Sequence, residues 1–134
     1  DDILAKSMVL ALEGQTAESM RFFTAARYRL AATSERLLPG PYSYALAGLL
    51  MHRKTGQDAY RQETLRFVRA QQIAFPFYGW LYGMEALLQT DAKQRKTAAC
   101  RAQFLDPQSH FLQLAQVKGV DKPACREAIA SWLR

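Results

Sequence analysis

Few side chains in this sequence have the type and spacing that chemistry requires. It holds two cysteines, Cys100 and Cys125, and two histidines, His52 and His110. None of them has the CxxC or HxxxH spacing of a zinc ligand set. Two cysteines are the smallest number that permits a disulfide, and such bonds persist in oxidising compartments. The pairing stays open at this level: Cys100 and Cys125 read as a candidate disulfide, as two half-buried free thiols, or as a metal-bound or reactive thiol. His52 precedes Arg53 on a helical stretch and His110 follows Ser109 at a helix start. Both read as surface or packed imidazoles rather than acid–base catalysts. Acidic residues are few and scattered, so no carboxylate pair for hydrolysis is visible. No glycine-rich phosphate loop, GxSxG or HExxH occurs. The expectation is a chain with no catalytic residues, no metal and no cofactor.

Binding chemistry has more to work with. Residues 74–82 read AFPFYGWLY, in which five of nine are aromatic: Phe75, Phe77, Tyr78, Trp80 and Tyr82. Phe77, Leu81, Met84 and Leu88 recur at helical spacing and form the expected core stripe, which turns Trp80 and Tyr82 elsewhere. Such a cluster either packs between neighbouring helices or lines a binding surface, since Trp and Tyr serve well as anchors. Tyr78, Trp80 and Tyr82 are therefore candidate partner-binding residues. Arg27 joins them, because it falls on the apolar side of its helix. There it can pack its stem and reach water, or meet a carboxylate within a groove.

The elements that position these residues are all helical. Ile3–Glu13 has apolar residues at helical intervals and ends at Gly14-Gln15. Thr16 opens a second helix to about Leu37, with Met20, Phe23, Ala26, Leu30 and Leu37 inward. Arg21, Arg29 and Arg36 lie on its far side. Pro39-Gly40-Pro41 ends that hairpin. A third helix follows from about Tyr42 to Lys54, with Tyr42, Leu46, Leu49, Leu50 and Arg53 on one face. Asp58 caps a fourth, Ala59–Ala74, whose inward face is Tyr60, Thr64, Phe67, Val68, Gln71 and Ala74. The turns at Gly14 and Gly56 share the pattern Gly-Gln-x-Ala, 42 residues apart, which is the mark of repeated helical hairpins. Pro76 opens a fifth helix. Thr90 or Asp91 caps a sixth, lined by small residues (Ala92, Ala98, Ala99, Ala102) and basic outside (Lys93, Arg95, Lys96, Arg101). Asp106-Pro107 stops it. Ser109 opens a short seventh helix, and a last one starts near Asp121 with Pro123 in its first turn. Ala124, Ala128, Ile129 and Trp132 are expected to face inward there, with Trp132 closing the end of the stack.

Length and composition suit this reading. The 134 residues can bury a core, and 49% hydrophobic with 22% charged residues excludes broad disorder. No apolar run approaches the ~20 residues of a membrane helix. The sequence begins at Asp1-Asp2 without a signal-peptide pattern, and it reads as one helical-repeat domain, 1–134, taken from a longer chain. Net charge is +6, made of +2 in residues 1–67 and +4 in residues 68–134 (nine basic, five acidic). That excess is too diffuse for a dedicated duplex-DNA binder.

One stretch allows a comparison. Ala102-Gln103-Phe104-Leu105-Asp106-Pro107 resembles the end of a tetratricopeptide repeat, where an alanine on the second helix precedes a Leu-Asp-Pro stop. Gly83, 24 residues before Pro107, is similar to the small residue on that family's first helix. Pro76 and Pro107 stand 31 residues apart, near the family period of about 34. The resemblance covers residues 42–117 and implies an all-α, right-handed stack of about four antiparallel hairpins, some eight helices in all. It carries over no functional residue set; members bind peptides or partner proteins, or scaffold assemblies. The resulting expectation is a protein–protein interaction module, periplasmic or otherwise extracytoplasmic in a bacterial-type envelope. Its partner would be another protein, a peptide or a second copy, with no direct membrane insertion. The alternatives are a sensory or regulatory domain of a membrane-anchored transcription regulator, a cytoplasmic location, and nucleic-acid binding through the basic faces of the fourth and sixth helices.

Overall fold

A computed structural model describes residues 2–32 and 40–134, and these form eight α-helices and no strand. In order they are α1 (Asp2–Leu12), α2 (Thr16–Ala32), α3 (Gly40–Thr55), α4 (Asp58–Ala74), α5 (Gly79–Leu88), α6 (Ala92–Leu105), α7 (His110–Ala115) and α8 (Pro123–Leu133). The all-α expectation holds among the described residues. The expected continuation of the second helix through Arg36 and Leu37, and the inward side chain of Leu30, lie outside them. The helices group into two compact units that divide between Phe67 and Val68, within α4.

In the first unit, Gly14 and Gly56 both take positive φ, 80° and 71°. That conformation strains residues with a β-carbon, and it ends α1 and α3 so that α2 and α4 can turn back. Thus the repeated Gly-Gln-x-Ala pattern marks two turns of the same kind. Asp58 begins α4 and accepts hydrogen bonds from Arg61 Nε (2.6 Å) and Gln62 Nε2 (2.6 Å), which hold its carboxyl down at about 2.

α1 and α2 are fastened by two fully buried serines. Ser7 Oγ donates to Ser19 O at 2.8 Å, and Ser19 Oγ donates to Ser7 O at 2.7 Å. Tyr60 OH adds a bond to Ser19 Oγ at 2.7 Å, so the polar atoms buried here are partnered. Around this knot pack Phe23, Tyr44 and Phe67. Phe23 and Tyr44 stack at 4.3 Å with ring planes 7° apart, and Phe67 lies 4.5 Å from Tyr44.

The inward face of α3 differs from the expected one. Tyr44, Ala45, Ala47, Gly48, Leu49 and Met51 are buried, while Leu50 and Arg53 are exposed and Tyr42 and Leu46 are half-buried. The sequence GPYSYALAGLLMHRKT is apolar on nearly every side, so spacing alone cannot select a face. Close packing selects it. A β-carbon on Gly48 would overlap the Thr64 hydroxyl and come within 2.8 Å of Phe23 Cζ. Gly48→Ala is therefore expected to destabilise the fold by about 1–3 kcal/mol in a denaturant titration. An unchanged midpoint would show that α3 does not approach α4 so closely. On α4, Tyr60, Thr64, Phe67 and Val68 are buried as expected, joined by Glu63, whereas Ala74 is exposed.

The second unit pairs α5 with α6, sets α7 across α5, and packs α8 on α6. Asp91 is the cap of α6, its side chain accepting from Gln94 N at 2.9 Å. Ser109 caps α7 in the same way through Leu112 N, at 3.3 Å. Gly83 admits α7, since a β-carbon there would meet Ser109 Oγ at 2.6 Å. Gly48 and Gly83 are 35 residues apart, as are Thr64 and Ala99, and all four are buried. The alanines Ala98, Ala99 and Ala102 form a core with Tyr82, Ala86, Leu112 and Ala115. Ala92 is exposed instead, as the first residue of α6. On α8 only Cys125 and Ile129 are buried; Ala124 and Ala128 are exposed. The bond from Cys125 to α6 sets the rotation of α8 about its axis. Ile129, one turn later, shares that face, and the alanines are turned off it.

Candidate functional site

Cys100 on α6 and Cys125 on α8 form a disulfide, with Cα atoms 5.4 Å apart across a sequence separation of 25. Among the expectations left open above, the bonded pair is the one found. Both cysteines lie at the floor of an open groove of about 570 Å³ between α6 and α8. Its apolar walls are Phe104 from α6, Ile129 and Leu133 from α8, and Val120 from the turn before α8. Phe104 is 55% and Leu133 50% exposed, a large apolar area left facing solvent. Gln103, Asp121 and Arg126 supply the polar part of the lining.

The helices that form the groove run in the same direction. Lys96 donates to the carbonyl of Lys118, Cys100 is bonded to Cys125, and Arg101 stacks over Trp132, so contacts advance together along both segments. Behind the groove, Trp132 packs edge-on to Tyr82 at 5.4 Å and lies 5.9 Å from Phe77. The Arg101 guanidinium sits 4.6 Å over the Trp132 ring, a cation–π contact that covers it. Trp132 therefore caps the core of α5–α7.

The candidate residues from the aromatic segment separate. Tyr82 is 2% exposed and its hydroxyl donates to Pro76 O at 2.6 Å, so it is a core residue and not part of a surface. Burial raises its phenol above the ordinary range, opposed by nearby Arg101. The expected stripe through Phe77 is corrected with it. Phe77 precedes α5 and is 62% exposed, so it does not follow the helical period that placed it inward. Tyr78 is exposed and stacks on Phe75 at 5.1 Å, and Trp80 is half-buried. Arg27 lies in the other unit. Its Nη1 donates to the buried Glu63 at 2.7 Å, which is the carboxylate contact its position allowed, made within the chain. Arg27 belongs to the first unit, and Tyr78, Trp80 and Tyr82 to the second.

His52 Nδ1 lies 3.2 Å from Gln57 O at the turn before α4, and His110 is exposed at the start of α7. Among the described residues no three His, Cys, Asp or Glu side chains gather as a metal site, and no helix is long and apolar enough to cross a membrane. Several arginines of α4 are engaged by carboxylates. Arg61 pairs with Asp58, Arg66 with Glu63, and Arg69 Nε stands 3.9 Å from Glu85. Arg95 donates to Ala115 O, the last carbonyl of α7, where a cation suits the helix end.

Phe104, Ile129 and Leu133 were missed as site residues. The signal was present: Cys125, Ile129 and Leu133 recur every fourth residue, and Cys100 and Phe104 do the same on α6. That spacing reads as two ordinary core stripes until the disulfide lays them side by side. No protein-family model, curated protein or solved structure significantly matches this chain.

Proposed function

We propose that this chain is a non-catalytic, tetratricopeptide-like interaction module that receives an apolar segment of a partner protein between α6 and α8. One observation carries the reading: Phe104 and Leu133 stand half-exposed beside a groove whose floor is fixed by a disulfide. An aromatic anchor beside a preformed apolar trough is what a binding hot spot needs, because little ordering entropy is lost on docking. The paired glycines and the paired Thr64 and Ala99, each 35 residues apart, support a repeat near the family period. The disulfide supports an extracytoplasmic setting, where oxidants keep such bonds closed. The pairing of Arg61 and Arg66 with carboxylates and of Arg101 with Trp132 weighs against a phosphate-tracking face.

A regulatory domain that senses a small apolar ligand is the second reading. It is favoured by the groove's size, which falls in the range of small-molecule sites, ~300–1,000 Å³. Selection from a library of short amphipathic peptides separates the two. Peptides enriched on the native chain should bind Phe104→Asp at least about tenfold more weakly, with the helical circular dichroism unchanged. Equal affinity for the variant would remove the groove from the proposal. Stabilisation by small apolar compounds, with no peptide enriched, would transfer it to the sensor reading.

A further inference from the structure

Positive charge gathers beside one end of the groove. At the end where α6 and α8 begin, the turn through Gly119 collects positive charge. Lys96 Nζ and the Lys122 stem both come within 4 Å of where a β-carbon on Gly119 would stand. Lys118 is on the same turn, and its carbonyl accepts from Lys96. That bond fixes the Lys96 ammonium in place without neutralising it. Arg126 lines the groove one turn further along, donating to the Asp121 carbonyl at 3.1 Å. Of these four cations Arg126 lines the groove, together with the lining carboxylate Asp121, while Lys96, Lys118 and Lys122 belong to the turn beside its end. At the other end stand Phe104 and Leu133, with Ile129 between. Lys96 and Phe104 are eight residues apart on one helix, about 12 Å. The trough thus has basic residues beside one end and apolar anchors at the other.

Resting on the reading of this groove as a protein-binding site, we propose that its occupant is an acidic amphipathic helix. Its apolar face lies against Phe104, Ile129 and Leu133, and its carboxylates meet the collar of Lys96, Lys118, Lys122 and Arg126. A trough bounded by two parallel helices has the shape that a third helix fills, with anchors at i, i+3, i+4 and i+7. The collar selects the charge of what flanks those anchors. A few cations at one end suit a short acidic segment, whereas a nucleic acid would need a basic track along the whole trough.

Two synthetic helices with the same apolar face test this, one flanked by glutamates and one by lysines, each titrated against the full chain at low and high salt. The acidic helix should bind about tenfold or more tightly than the basic one at low salt, and the margin should shrink as salt rises. Lys118→Glu/Lys122→Glu, at two exposed positions, should abolish or reverse the preference. Phe104→Asp should weaken both helices, the acidic one at least as much as the basic one. Equal affinity for the two helices, both lost in Phe104→Asp, would overturn the acidic partner and leave the groove reading standing. Binding that Phe104→Asp does not touch would overturn both. Vesicles of anionic phospholipid form the last arm. Lysine-dependent binding to them, with no acidic-helix binding, would assign the collar to lipid and sink the proposal.

Discussion

Tyr44→Ala is expected to remove about 3–5 kcal/mol of stability, the range for deleting a fully buried aromatic side chain. Tyr44 has no exposed surface and stands between Phe23 and Phe67. Its hydroxyl also points at Glu63 Oε1 from 3.5 Å, the same oxygen that Arg27 holds at 2.7 Å. Truncation would therefore open a cavity beside a buried ion pair. Tyr44→Phe keeps the packing and should cost far less, of order 1 kcal/mol. It also isolates a pH effect. Burial, and then the charge of Glu63, raise the Tyr44 phenol well above its ordinary value of 10.0. The folded state keeps that proton where the unfolded chain releases it. The contribution is complete below about pH 10 and is lost as pH rises past it. Unfolding free energies measured from pH 8 to pH 11 should fall more steeply in the native chain than in Tyr44→Phe. Parallel curves would mean that the phenol is not shielded from water.

Loss of the disulfide is expected to have the next largest effect. For a bridge spanning 25 residues, loop entropy gives about 3–4 kcal/mol in the chain-entropy model. The effect should be local. α8 buries only Cys125 and Ile129, with Trp132 half-buried beside Arg101 and Tyr82, so little else retains it. In Cys100→Ala/Cys125→Ala, amide exchange should accelerate across α8 and the turn before it. Protection of α1 to α3 should hold. If α8 amides stay as protected as in the native chain, apolar packing rather than the bond keeps α8 on α6, and the groove does not depend on oxidation.

How much of this was legible in the sequence depended on whether a local signal existed. Several helix ends were, because Gly14, Gly56, Asp91, Ser109 and Pro123 are chemically specific for ends; the start of α5 was not, since it lies at Gly79 rather than at Pro76. The face of α3 was not, since the overlap at Gly48 arises from residues 16 and 25 positions away, Thr64 and Phe23. The aromatic segment misled for a related reason. Tyr82 and Phe77 exchange their expected places because α5 begins at Gly79, after Phe77, and because Trp132 covers Tyr82 from the distant α8. Arg27 was read correctly as an arginine on an apolar side, but its partner, Glu63, is 36 residues away. The groove itself comes from two stripes that only a covalent bond brings together.

The serine pair between α1 and α2 supplies a contrast with that bond. Each hydroxyl satisfies the other residue's carbonyl, so a slip of either helix by one turn would orphan both at once. The fastening is indifferent to oxidants and reductants. α6 and α8 are fastened by a link that a reducing compartment would sever. The same chain would keep its amino-terminal hairpin in register in any compartment, whereas its grip on the trough beside Phe104 would loosen where thiols are kept reduced.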